Sequence, residues 1–255
     1  MSNLNLEEYN LENWYNKLKN VDFLDIYNNK YSSVQNYKLI EISKDDIINF
    51  QKDNTFSEII KQEIMSILEL DSNYFFRLNT RSPKDVLEYN TDIEIFDDDC
   101  REVKLNKKIK QLEILKITNY QDVIYLINKS KRLQEDIQDF VDNKFNKLYL
   151  VFSKWNQILG NYVEYRCCIV NSKPTAICLF KPEYYSRYTN IPVEIILIYL
   201  YQLIKKINLD NFVADVYIKN NRAYLIEINP LCEDTNLFNL DYEDVINSDN
   251  LIVTL

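Results

Sequence analysis

Glu227 and Asn229 stand two residues apart in the run Tyr224-Leu225-Ile226-Glu227-Ile228-Asn229-Pro230. In an extended strand the side chains alternate, so these two oxygen-bearing groups project to one face while Ile226 and Ile228 project to the other. Pro230 has no N–H to give and ends the ladder. Paired oxygen donors of this kind suit a hard cation. Magnesium prefers octahedral oxygen coordination and keeps positions open for water and phosphate. Asp215 adds a third carboxyl or amide group, and it interrupts the apolar run Phe212-Val213-Ala214-Asp215-Val216. A carboxylate there costs free energy unless a partner or a metal compensates it. The alternative is that Asp215 and Glu227 are solvated residues on an exposed sheet face.

Absences narrow the chemistry further. The 255 residues include no histidine, which removes Ser–His–Asp and Cys–His catalysis and histidine acid–base chemistry. There is one glycine, Gly160, so a Walker A loop, a dinucleotide-binding glycine fingerprint and a kinase glycine-rich loop are excluded. Any bound phosphate must therefore be held by cationic side chains and metal. The five cysteines (Cys100, Cys167, Cys168, Cys178, Cys232) contain no C-x-x-C pair and are expected to be reduced thiols, mostly buried, with no zinc site. Net charge is −9, and the basic run Lys104 to Lys110 lies beside Asp97, Asp98 and Asp99, so nucleic acid is not an expected partner. Met1 to Asn10 shows no signal-peptide pattern. The apolar stretch Ile191 to Ile204 carries Glu194 and Gln202, falls short of the roughly 18 residues of a membrane span, and reads as a buried helix. A cytoplasmic protein with no membrane contact is expected.

The elements that must position these residues follow from periodicity. Helices are expected over Ser43 to Phe50, over Thr55 to Leu70 with a capping box of Thr55 and Glu58, from a second box of Thr118 and Gln121, and over Lys131 to Phe145. Asn73 to Leu78 reads as a strand. From Lys147 onward strands dominate: Leu148 to Trp155, a hairpin of Val163 to Val170 and Thr175 to Phe180 around Asn171 to Pro174, the helix Pro192 to Ile207, and a last hairpin of Phe212 to Ile218 and Tyr224 to Ile228. The mixed order gives an α+β fold of two lobes, residues 1–147 and 148–255.

The last hairpin carries a parity condition. With a two-residue Asn220-Asn221 turn, Lys219 opposes Arg222 and Glu227 opposes Ala214, which puts Asp215 on the wrong face for a shared metal. An odd loop, most simply Asn220-Asn221-Arg222, sets Asp215 opposite Glu227. A two-residue turn satisfies the shared metal only with a compensating bulge.

Leu150-Val151-Phe152-Ser153-Lys154-Trp155, Ile158-Leu159-Gly160 and Glu164-Tyr165-Arg166 lead in order into a strand pair, and Asp215 and Glu227-Ile228-Asn229-Pro230 follow. The series resembles the ATP-grasp pattern of an adenine-holding strand and linker, a glycine, a Glu-x-Arg whose arginine approaches phosphate, and Asp and Glu-x-Asn metal ligands. Phe76-Arg77-Leu78-Asn79-Thr80-Arg81-Ser82-Pro83-Lys84-Asp85 is similar to the Lys-Leu-Asn strand and Pro-Lys-Asp turn of the cell-division-cycle-123 family. Glu164-Tyr165-Arg166-Cys167, Asp215-Val216-Tyr217, Leu225 to Pro230 and Asn13-Trp14-Tyr15 also resemble that family's motifs. Arg77 stands where the family has a lysine, Ser153 where it has an arginine, Glu227 where it has an aspartate, and Cys232 where it has a glycine.

The resemblance implies an ATP-grasp-like fold with the nucleotide between its lobes. It implies ATP and Mg²⁺ as ligands, with Arg77, Lys84, Asp85, Lys154, Trp155, Arg166 and Lys181 at the nucleotide and Asp215, Glu227 and Asn229 at the metal. No residue is assigned a catalytic role. The implied function is an assembly chaperone for translation initiation factor 2 that binds its gamma subunit, with an apolar patch of Tyr15, Phe23, Leu24 and Tyr27 as a docking candidate. An ATP-grasp ligase forming an amide through an acyl phosphate is the alternative. Replacing Asp215 by alanine is expected to abolish nucleotide binding and leave the fold intact.

Overall fold

The computed structural model describes residues 38–70, 73–89, 93–94, 96, 100–144, 146–155, 163–180, 190–205, 207, 209–233 and 235–254. They fall into two units, one within residues 34–157 and the other including the residues from 158 onward. Lys181, Gly160 and the aromatic patch around Trp14 lie outside the described residues.

The first unit is built on four antiparallel strands: β1 (Lys38–Ile42), β2 (Tyr74–Leu78), β3 (Lys116–Ile117) and β4 (Leu148–Lys154), in the order β1-β4-β2-β3. Strand alternation puts Ile40, Ile42, Tyr74, Phe76, Leu78, Leu148, Leu150 and Phe152 into one core. Phe76 and Phe152 are direct cross-strand partners with ring centroids 5.5 Å apart. Among the described residues, the helices α1 (Lys44–Asp53), α2 (Glu58–Leu70), α3 (Arg101–Leu112), α4 (Tyr120–Lys129) and α5 (Lys131–Val141) join this unit, with a short 3₁₀ turn at Lys84–Tyr89. Strand β4 is central to this sheet, so the boundary expected at residue 148 is displaced beyond it.

Cap chemistry sets where the helices begin, and it corrects two expectations. The Thr55 hydroxyl lies 3.0 Å from the Tyr120 hydroxyl, which also accepts the Phe56 N–H at 2.9 Å, so this pair is tied to α4 and helix α2 starts only at Glu58. The second box is one residue later than expected. Asn119 accepts from the Asp122 N–H, and Asp122 accepts the N–H groups of Thr118 and Asn119. Helix α5 stops at Val141, short of Phe145, and Asn143 beyond it adopts φ 65°.

The second unit holds β5 (Glu164–Val170), β6 (Lys173–Leu179), β7 (Phe212–Lys219), β8 (Arg222–Asn229) and β9 (Ile252–Thr254), ordered β8-β7-β5-β6-β9. All neighbours are antiparallel except β6 and β9, a parallel pair that periodicity did not indicate. Helix α6 (Val193–Ile204) covers one face through Ile196, Leu200 and Leu203 packed with Cys167, Ile169, Ala214 and Val216. Cys168, Ala176 and Val213 on the other face pack with Leu231, Leu237 and Val245, the last from α7 (Tyr242–Asn247). Helices and antiparallel sheets are segregated, so the class is α+β. Both hairpins close on two residues with positive φ, Asn171-Ser172 and Asn220-Asn221. That is the primed-turn geometry that matches strand twist.

Candidate functional site

The register of β7 with β8 decides whether the oxygen donors meet. Lys219 opposes Arg222 across Asn220-Asn221, so the loop is the two-residue turn and not the expected three-residue one. The ladder then shifts between Val216, which opposes Leu225, and Asp215, which opposes Glu227. Ile226 is the extra residue of a β-bulge. It reverses the facing of everything after it: Ala223 and Leu225 before the bulge and Ile228 after it all pack with the α6 core. Asp215 and Glu227 therefore share the opposite face, and the Asn229 amide donates to Asp215 Oδ2 at 3.1 Å.

Arg166 sits on β5 directly across from Asp215. Its Nε donates to Oδ1 at 2.8 Å and its Nη2 to Oδ2 at 2.7 Å, a bidentate fork. Asp215 is 1% exposed and Arg166 7%, so the pair is buried. The remaining Nη1 donates to the Asn236 carbonyl oxygen. Phe180 and Phe238 cover the guanidinium with ring centroids 5.0 and 5.2 Å from its central carbon, and the two rings meet edge to face. Burial works to lower the Arg166 pKa, but the hydrogen bonds and charge of Asp215, then Glu227 and Cys178, outweigh it and leave the pKa raised. Arg166 is a permanent cation.

The neighbouring thiols are inert. Cys178, opposite Arg166, is pushed up to about 12 by burial, against the lowering effect of Arg166. Cys167 and Cys168 are raised by burial as well. All five cysteines are free, and Cys100 is the exposed one. Thiolate chemistry has no candidate here.

In the first unit the expected nucleotide residues take separate places. Arg77 Nε and Nη2 donate to the carbonyls of Leu78 and Thr80, at 3.0 and 3.3 Å. Arg77 opposes Val151 while Lys154 opposes Tyr74, an odd number of residues along β2, so the two cations lie on opposite faces of the sheet. Lys84 is half-buried in the 3₁₀ turn. Asp85 accepts from the Ser130 hydroxyl at 2.6 Å and the Arg132 N–H at 3.2 Å. Ser130 itself caps α5. Asp85 is thus a brace for a helix N-terminus. Beside it, Arg81 bonds the buried Asp136 at 2.8 Å, and Thr80 donates to the same carboxylate. Trp155 packs against the first core, and its Nε1–H is buried without an acceptor among the described residues.

The structure thus gathers Arg166, Asp215, Glu227 and Asn229. It adds Phe180, Asn236 and Phe238, which carry no sequence signature. The bulge did leave a signal: the apolar phase of β8 changes from Ala223 and Leu225 to Ile226 and Ile228. Two carboxylates and an amide that can offer its oxygen suit a hard divalent cation and not a soft one.

The family model D123 matches residues 107–251. Curated relatives named as translation initiation factor eIF2 assembly proteins are 26% identical over 203 residues in Dictyostelium discoideum and 27% identical over 154 residues in Schizosaccharomyces pombe. The matches cover 75% and 54% of this chain and 47% and 48% of the relatives, so the chain spans about half the length of the curated relatives it matches. The solved structure of Cdc123 from Schizosaccharomyces pombe superposes with a TM-score of 0.60 at 21% identity, covering 98% of this chain and 96% of that one. The fold is shared. No helix among the described residues is long and apolar enough to cross a membrane.

Proposed function

The chain belongs to the D123 family, and from that premise we propose that it is an ATP- and magnesium-binding assembly factor for translation initiation factor eIF2 that engages the gamma subunit. Relatives bearing the name eIF2 assembly protein support the partner. The observation that carries the nucleotide part is the Ile226 bulge, which sets Asp215 opposite Glu227 with Asn229 alongside. A bulge that aligns two carboxylates on one face is a feature sheets keep next to functional sites.

In this reading Asp215, Glu227 and Asn229 hold Mg²⁺, and Arg166 meets phosphate. Magnesium, when bound, neutralises phosphate charge and orients its oxygens. Roles for Arg77, Lys84, Lys154 and Lys181 at phosphate rest on the family resemblance. The Trp155 Nε1–H, without an acceptor among the described residues, fits one brought by a ligand. Asp85 braces α5 through the Ser130 hydroxyl and the Arg132 N–H, and its role at the nucleotide likewise rests on the family resemblance.

The test is retention of purified gamma subunit on the immobilised chain, with and without ATP and Mg²⁺, alongside calorimetry of Mg²⁺-ATP. Retention that strengthens with Mg²⁺-ATP is expected. No retention in either condition, with ATP affinity intact, rejects the partner. Absence of calorimetric binding rejects the nucleotide.

A further inference from the structure

Asp215 already has a cation. Arg166 engages both of its carboxylate oxygens, and Oδ2 also accepts the Asn229 amide. A carboxylate offers about four lone-pair positions, and these bonds occupy most of them. A divalent ion bound there beside the guanidinium meets a positive charge at contact range. If the ion instead displaces Arg166, it leaves that guanidinium buried between Phe180 and Phe238 without its carboxylate. Either course is costly in a site this dry. An anionic phosphate reverses both costs, because it takes the guanidinium fork and adds negative charge beside the metal.

We propose that Arg166 is the resident counter-ion of Asp215, and that a divalent cation gains Asp215 only when a phosphate-bearing ligand arrives to take Arg166. Metal and phosphate then bind as one coupled event. The inference rests on the assignment of Asp215, Glu227 and Asn229 as cation ligands.

Two further features fit this exchange. Asn229 gives its N–H to Asp215 Oδ2, which Arg166 also engages, so a metal that takes this oxygen displaces one of the two donors. Phe238, which covers Arg166, adopts φ 58°, a left-handed backbone that is strained for a bulky residue. Its N–H is held by the Asn236 side chain at 2.8 Å, and the Asn236 carbonyl holds Arg166. The segment that cradles the guanidinium is thus the one under strain, and it is the part that yields when Arg166 turns to phosphate.

Binding of manganese(II) alone, followed by electron paramagnetic resonance, tests the coupling with and without the imido analogue of ATP. The wild type is expected to bind manganese weakly alone and at least about tenfold more tightly with the analogue, within the usual range of coupled sites. Arg166→Gln is expected to bind manganese alone about tenfold more tightly than the wild type and to lose the tightening. Glu227→Gln is expected to weaken manganese in both conditions. Equal manganese affinity with and without the analogue, unchanged in Arg166→Gln, overturns the coupling and leaves the ligand assignment standing. No manganese binding by the wild type in either condition overturns both. The wild type supplies an independent measurement should Arg166→Gln fail to fold. The Arg166 Nε–H resonance, identified by its loss in Arg166→Lys, should stay in place with Mg²⁺ alone and shift with Mg²⁺ and the analogue. Movement with Mg²⁺ alone refutes the proposal.

Discussion

Replacing Asp215 by alanine is now expected to damage the fold, contrary to the reading of the sequence alone. Asp215 and Arg166 are 1% and 7% exposed and joined by two bonds of 2.8 and 2.7 Å. Removing the carboxylate strands a guanidinium under two aromatic rings and deprives the Asn229 amide of its acceptor. Breaking a buried pair from one side costs about 3–5 kcal/mol, against a total of about 5–15 kcal/mol for a whole domain. The double replacement Arg166→Met with Asp215→Leu removes both charges and is expected to recover most of that loss, since apolar pairs of similar volume often match or exceed a buried ion pair. Urea unfolding of the wild type, both single variants and the double variant gives the coupling energy, and amide exchange in β5 and β7 locates it. An Asp215→Ala loss below about 1 kcal/mol, the value of a solvated pair, would show that water reaches the carboxylate and would refute the buried-pair argument.

Deleting Ile226 should leave Asp215 opposite Glu227, because the ladder is continuous on either side of the bulge; cross-strand nuclear Overhauser effects pairing Ala214 with Glu227 would contradict this. Asn221 sits at φ 57°, where a β-branched residue is penalised, so Asn221→Val should lower stability by about 1–2 kcal/mol in a urea titration. Burial raises the Asp136 carboxyl above its ordinary 3.8, and repulsion from Asp139 adds to this, against the lowering effect of Arg81 and Thr80. A raised folded-state pKa means a contribution that is full below the unfolded value and lost as pH rises through the folded one. Urea midpoints of the wild type should therefore decline from pH 4 upward relative to Asp136→Asn, and parallel profiles would count against it.

Helices α1 and α4 were legible because their apolar spacing stands close together in the chain, although the box that opens α4 falls one residue later than the sequence suggested. The central position of β4 was not: Leu148 to Lys154 is an apolar run, and only its pairing with both β1 and β2 assigns it to the first sheet. The shared face of Asp215 and Glu227 was legible as a parity condition, including the requirement that something odd occur between turn and site. Where that odd residue falls was decided by competition. The asparagine pair satisfies a two-residue turn too well to extend it, so the extra residue moved to Ile226, where it lets Leu225 and Ile228 reach one core. The Arg166 fork was not legible, because its partner lies on a distant stretch of chain and its cradle comes from Phe180, Asn236 and Phe238. Arg166 looked like a free phosphate ligand for the same reason that Asp215 looked like a free metal ligand: each was read without the other.

The left-handed turns bear on how this chain tolerates genetic drift. Among the described residues, the positive-φ positions are filled by Asn54, Asn143, Asn171, Ser172, Asn220, Asn221 and Phe238, and by no glycine. Asparagine is the non-glycine residue that visits this conformation most readily. Its codons cannot become glycine codons by a single base change, but they reach aspartate or serine in one step. Aspartate tolerates the same backbone, and Ser172 shows serine in it. A lineage whose codons drift away from glycine can therefore lose nearly every glycine and keep its hairpins.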